Sequence, residues 1–193
     1  NEADKLTKGR QRAALLAKKE IMQVFETLQL SHAELEFSLS SSQTMNAWGR
    51  DDVQLLFRAN KGGSMLPVKQ VASGGEISRV MLALKAAVGK HKQLPVLILD
   101  EIDQGVSGEV ARRMGDVLKS MSKQCQLMAI THLPQIASRA DSHIKVHKAH
   151  DGDRTTSYVR ELHGDDRVQE LAEMLSGKEV TEAARENARE MLG

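Results

Sequence analysis

The sequence predicts an α/β fold: a mostly parallel sheet flanked by helices, with hairpins at its periphery. Three observations predict it. Helical and extended patterns alternate between residues 76 and 131: a helix from about Glu76 to Val88, a strand over 95–99, a helix from about Ser107 to Met121, and a strand over 127–131. Strands joined through a helix at this spacing run parallel. Both strands are continuously apolar, the pattern of strands covered on both faces. Each then ends in polar residues, Asp100-Glu101 and Thr131-His132, at the edge where open α/β sheets bind ligands.

The remaining elements follow in order. Leu6, Ala13, Ala17, Ile21, Val24 and Leu28 form a narrow, Ala-rich helical stripe within residues 3–29, among Lys, Arg, Glu and Gln. It suits either an amphipathic helix lying on the domain or the last turns of a coiled coil entering it. Ala33, Leu35, Phe37 and Leu39 alternate with polar residues, as do Val53, Leu55 and Phe57, which predicts paired strands joined by a loop over Ser40–Arg50. Asn60-Lys61-Gly62-Gly63 breaks the second strand, and a loop runs on to Val71. Behind Glu76, the residues Ile77, Val80, Met81, Leu84 and Val88 form the expected buried stripe of the next helix. After the second parallel strand come a short helix near Pro134–Arg139 and a hairpin of 142–146 with 155–162 around a turn at Ala149-His150-Asp151-Gly152-Asp153. The tail predicts two helices, Asp165–Leu175 with Gly177 as C-cap, and one capped by Thr181 that ends near Leu192.

At 193 residues the chain has room for one domain, or a domain with an appendage. A net charge of +1 gives no case for nucleic-acid or membrane binding by bulk electrostatics. The single cysteine, Cys125, excludes an internal disulfide and fits a reducing compartment. No apolar run reaches the length of a membrane span, so a cytoplasmic protein is expected. Beginning at Asn1 inside a helical pattern suggests a piece of a longer chain.

Three short segments carry the chemistry. Ser73-Gly74-Gly75-Glu76 has capping-box spacing, and its glycines leave first-turn amides open to an anion; a plain helix start reads the same way. Asp100 and Glu101 follow four apolar residues, where two acids are costly unless a cation sits nearby. Mg2+ takes one or two carboxylates together with substrate phosphates, and the neighbouring acid can deprotonate a water. The alternative is a solvated strand end. His132 occupies the corresponding place on the next strand and projects to the same rim; the other six histidines form no metal-binding pattern.

In this order and spacing, these segments resemble the C-terminal half of an ABC-type (P-loop NTPase-like) ATPase head. Ser73-Gly74-Gly75-Glu76 is similar to the signature motif, Val96 to Glu101 to the Walker B strand, Gly105-Val106-Ser107-Gly108 to the D-loop, and Thr131-His132 to the switch histidine. The wider segments Val71–Arg79, Asp100–Gly108 and Thr131–Ala137, with Phe57-Arg58-Ala59-Asn60 and Arg167–Leu175, resemble the RecN family of bacterial DNA-repair ATPases, of the SMC-like class.

The resemblance implies a coiled-coil root over 1–30, a C-terminal head lobe over 31–193, and ATP and Mg2+ as ligands. Asp100 would hold the metal, Glu101 polarise the attacking water, and His132 contact the γ-phosphate. Ser73, Gly74, Gly75, Glu76 and Ser107 would face the nucleotide bound to a second head, so that ATP joins a homodimer and hydrolysis releases it. The family's role is DNA double-strand-break repair and recombination, with DNA as partner of the whole protein at the bacterial nucleoid. No G-x-x-x-x-G-K-[ST] phosphate cradle occurs in the chain; in that family it lies in an N-terminal lobe, so this chain alone is expected to be inactive. The rival readings are a non-catalytic clamp or scaffold module, and a head fragment of another ABC-type ATPase. Transporters carry Gln where Glu76 stands, and Pro-Thr after the acidic pair.

Overall fold

The computed structural model describes residues 2–70, 74–92, 94–151 and 154–193. The chain opens with helix α1 (Glu2–Thr27), followed by the strands β1 (Glu34–Asn46) and β2 (Gly49–Arg58) and a short edge strand β3 (Leu66–Pro67). These three strands form one antiparallel sheet in the order β1-β2-β3. Both long strands extend through the segment expected as a loop. Asn46 makes this possible by accepting a hydrogen bond from the Trp48 amide (2.8 Å), which closes a tight turn before Gly49, at φ 99°.

The long hairpin lies along α1. Asp51, with a side chain only 3% exposed, accepts hydrogen bonds from Arg10 (2.7 Å) and Thr7 (2.8 Å). These donors, Arg10 foremost, hold the Asp51 carboxyl below the usual aspartate range. A depressed acid adds stability above its unfolded pKa and loses it as pH falls through the folded one. Wild-type Tm should therefore drop more between about pH 5 and about pH 3 than that of Asp51→Asn, as thermal melts across that range would read.

Helix α2 (Gly74–Lys92) leads to β4 (Val96–Leu99), helix α3 (Gly108–Met121) and β5 (Gln126–Ala129). The strands β4 and β5 are parallel and in register from Val96↔Gln126 to Leu99↔Ala129, as the alternating pattern predicts. They are the parallel part of the fold. Among the described residues the other sheets are antiparallel, because only the passage through α3 is a crossover and tight turns reverse strand direction.

The main core joins α1, the first sheet, α2, β4 and α3. Phe25 meets Phe57 edge to face with ring centroids 6.0 Å apart, and Leu28, Leu35, Val80, Leu82, Leu99 and Met114 close around them. Two expectations about burial need correction. On α2 the buried residues are Ser78, Val80, Leu82 and Ala83, whereas Met81 and Val88 are exposed; this helix is apolar on more than one face, and the core takes a different one. The parallel pair is covered on one face only. Leu97, Leu99, Leu127 and Ala129 pack on the core, while Val96, Ile98, Met128 and Ile130 are exposed, Ile98 by 61%.

The short helix α4 (Pro134–Ala137) precedes the hairpin of β6 (His143–Asp151) and β7 (Arg154–Leu162). Lys145 anchors this ribbon to Glu170 and Glu173 of α5 (Gly164–Ser176). The last two helices follow the predicted caps: α5 ends at Gly177, at φ 78°, and Thr181 accepts from the Ala184 amide (3.2 Å) to start α6 (Glu182–Leu192). Leu171, Ala172, Ala188 and Ala137 form a second, smaller core between them. Among the described residues, no helix is long and apolar enough to cross a membrane.

Candidate functional site

The two parallel strands deliver their polar ends side by side. The Ile130 amide donates to the Leu99 carbonyl (2.9 Å), extending the ladder one step, so Asp100-Glu101 and Thr131-His132 leave the sheet at the same rim. Asp100 is exposed, and its carboxylate engages no partner among the described residues. Glu101 is also exposed. Its backbone sits at φ 52°, a left-handed conformation that costs a residue with a Cβ about 1–2 kcal/mol. Such strain collects where the surrounding structure over-determines a functional conformation. Gln104 donates to one Glu101 carboxylate oxygen (2.6 Å), which fixes the side chain at its far end.

The loop after Glu101 is pinned from both sides. Asp103 is buried, 2% exposed, and its Oδ2 accepts from the Thr131 hydroxyl (2.5 Å) and the His132 amide (3.3 Å). His132 Nδ1 lies 3.4 Å from the same oxygen, while the imidazole is 75% exposed. On the other side, the Ser78 hydroxyl of α2 donates to the Gln104 carbonyl (3.1 Å). Gly75 and Gly105 meet backbone to backbone: a Cβ on Gly75 would stand 2.3 Å from the Gly105 oxygen.

The two glycines that open α2 therefore differ. Gly75 is required by packing, whereas Gly74 faces open space. Glu76 follows half-buried in the first turn, and Ser73 lies outside the described residues, so the capping box expected there does too. Ser107 precedes α3 in an extended conformation, exposed, and its hydroxyl makes no capping hydrogen bond.

Sequence reasoning missed Asp103, Gln104 and Arg79 as structural determinants. Arg79 bonds the Gly75 carbonyl (3.0 Å) and the Leu28 (3.1 Å) and Gln29 (3.3 Å) carbonyls, tying the start of α2 to the chain just after α1. Burial pushes its guanidinium pKa down. The third acid within four residues was the only available sign of Asp103.

Basic residues near the rim are already compensated. Glu109 is held down to about 2 by the guanidinium of Arg112, and then of Arg113. Away from the rim, at the C-terminal end of α2, Lys90 pairs with Glu20 (3.0 Å). Among the described residues no three His, Cys, Asp or Glu side chains gather as a metal cage. Asp100 and Glu101 nevertheless offer oxygen donors only, and one free carboxylate is the share a protein gives to Mg2+ when phosphates and waters complete the shell. These residues fit that ion.

Residues 8–155 match the RecF/RecN/SMC N terminal domain family. The chain belongs to that family. Within the family it is similar to the DNA repair protein RecN of Deinococcus radiodurans, at 42% identity over 97% of this chain and 33% of that protein. It is likewise similar to RecN of Haemophilus influenzae, at 36% identity over 98% of this chain and 34% of that protein. The chain thus spans about a third of the length of the curated relatives it matches. Solved folds agree. An SMC head domain with coiled coil and joint from Pyrococcus yayanosii superposes with a TM-score of 0.68 at 22% identity, over 86% of this chain and 30% of that one. A structure from work on ATP-driven dimerization of SMC ATPases gives 0.63 at 21% identity, over 89% and 99%. The ABC-type head fold and the RecN resemblance read from the motifs are both borne out.

Proposed function

We propose that this chain is the signature-motif half of an ATPase head, in a protein that repairs DNA double-strand breaks in the bacterial cell. One observation carries the reading: the glycine turn of α2, the acidic end of β4, the loop over 103–108 and the end of β5 are locked together at a single rim. In this reading Asp100 holds Mg2+, which when bound would neutralise charge on the nucleotide's phosphates. Glu101 orients a water and takes its proton, with Gln104 steadying the carboxylate. His132 reaches the γ-phosphate. Ser73, Gly74, Glu76 and Ser107 face the nucleotide of a second head, with Gly75 setting the approach, so that ATP joins two heads.

The phosphate cradle is then supplied by an N-terminal lobe. Two features support such a lobe. The parallel pair ends at β5 with an unpaired edge among the described residues, and its outer face exposes Val96, Ile98, Met128 and Ile130. A continuously apolar parallel strand belongs under cover on both faces. α1 is the root of a coiled coil; Leu15 and Leu16, 72% and 67% exposed in its middle, suit a partner helix. DNA is bound by the whole protein. Arg112 and Arg113 are engaged by Glu109 and are not assigned to it.

The test is reconstitution. The 193-residue chain alone should show no ATP turnover above background, and adding the cradle-bearing lobe should bring it out, followed as phosphate release. Substantial turnover by the chain alone would refute the reading.

A further inference from the structure

We infer that Arg79 is a positioning residue: one guanidinium ties the glycine turn of α2 to the carbonyl end of α1, and so sets where that turn stands for a second head. The role rests on the reading of the turn proposed above. Nε donates to the Gly75 carbonyl (3.0 Å), and Nη1 donates to the carbonyls of Leu28 (3.1 Å) and Gln29 (3.3 Å). Nε carries one hydrogen and Nη1 two, so each bond has a hydrogen of its own.

Both ends of this tie need an outside partner. At the end of α1 the Gln29 amide donates to the Glu26 carbonyl (3.3 Å) and the Leu30 amide to the Phe25 carbonyl (2.8 Å), with Gln29 left-handed at φ 56°. This Schellman pattern satisfies two of the last carbonyls and leaves those of Leu28 and Gln29 for another donor. The negative end of the helix dipole favours a cation there. At the start of α2, Gly74 and Gly75 are poor helix formers. Packing holds Gly75 against Gly105, and Arg79 gives the turn a second hold, on α1. The guanidinium keeps its charge in spite of burial, with Glu76 of the same turn acting in its favour.

A planar fork can serve both ends at once. Arg79→Lys presents a single point charge and can keep one end, and Arg79→Met keeps the stem and neither. In this chain alone, without nucleotide, Arg79→Met should speed hydrogen exchange at the Leu28 and Leu30 amides about 10- to 100-fold, the range for losing hydrogen bonds to a charged donor. Exchange in α5 and α6, which pack in the second core, should stay as in wild type. Unchanged exchange at the end of α1, or an equal rise throughout the chain, would overturn the inference.

In the two-lobed protein carrying Glu101→Gln, Arg79→Met should weaken ATP-driven pairing about 10- to 100-fold, the usual size of coupling between sites, as sedimentation would read. Single heads, at concentrations below pairing, should bind ATP as before, because the turn faces the nucleotide of the other head. Arg79→Lys should recover part of the Tm but not the pairing. Pairing and ATP affinity that fall together, and return together with Tm in Arg79→Lys, would show a merely structural pin and overturn the role. If Arg79→Met fails to fold, Arg79→Lys decides: weakened pairing with intact ATP binding supports the inference, and normal pairing overturns it. If the protein with Arg79 intact does not pair in ATP, the reading of the turn fails, while exchange in the single chain still reports the tie to α1.

Discussion

Replacing Glu101 by Gln should lower ATP turnover of the two-lobed protein about 100- to 10,000-fold, the range for removal of a general base. It should also let ATP-bound dimers accumulate. The amide keeps the size of the side chain and an oxygen for the Gln104 contact at 2.6 Å, but it cannot take a proton from water. Gln is no better suited than Glu to φ 52°, so the backbone strain is unchanged and Tm should match wild type. Binding of ATP does not require the base, so assembly proceeds and release stalls. Size-exclusion chromatography in ATP would show the dimer peak, and phosphate release would show the slow step. Undiminished turnover would remove Glu101 from the mechanism, and loss of hydrolysis without dimers would mean that the nucleotide does not join two heads.

Gly75→Ala should be the most damaging of the small substitutions. The added methyl would stand 2.3 Å from the Gly105 oxygen and 3.1 Å from its carbonyl carbon, and the approach is equally close in reverse, since a Cβ on Gly105 would meet the Gly75 nitrogen at 2.8 Å. Neither partner is a flexible side chain that could move away. Overpacking of this kind costs about 1–3 kcal/mol, and at about 2–4 °C per kcal/mol Tm should fall by several degrees. The larger consequence is positional: separating α2 from the loop over 103–108 also disturbs the Ser78–Gln104 contact, so ATP-driven pairing should be lost as well. Gly74→Ala is the control. Nothing lies within 4 Å of its Cβ, so its Tm should stay near wild type, and any loss of pairing would come from the closed approach to the amide. Equal melting of the two variants, by differential scanning fluorimetry, would contradict this account.

Much of this was legible in the residues, for physical reasons that differ from site to site. The strand ends at Asp100 and Thr131 could be placed because four apolar residues and an abrupt polar switch mark a buried strand's exit. The Thr181 and Gly177 caps were readable because their chemistry is local. The length of the first hairpin was not: Ser40 to Asn46 lacks apolar alternation, and pairing there depends on α1 running alongside, held by Arg10 and Asp51. The buried side of α2 was misplaced because several of its faces are apolar and only tertiary packing selects among them. Asp103 looked like one more acid in an acidic run. Its partner lies twenty-eight residues away across a strand crossover, a distance over which sequence spacing carries no signal.

The bare side of the β4–β5 pair has a consequence for how such a polypeptide survives its own synthesis. Strands whose edges are open among the described residues, flanked by Ile98, Met128 and Ile130 in solvent, are templates for unwanted pairing between copies. Until something completes the sheet, self-association competes with correct assembly in proportion to concentration. If the proposed N-terminal lobe is that cover, the speed with which it arrives is a determinant of yield, separate from how stable the finished fold is.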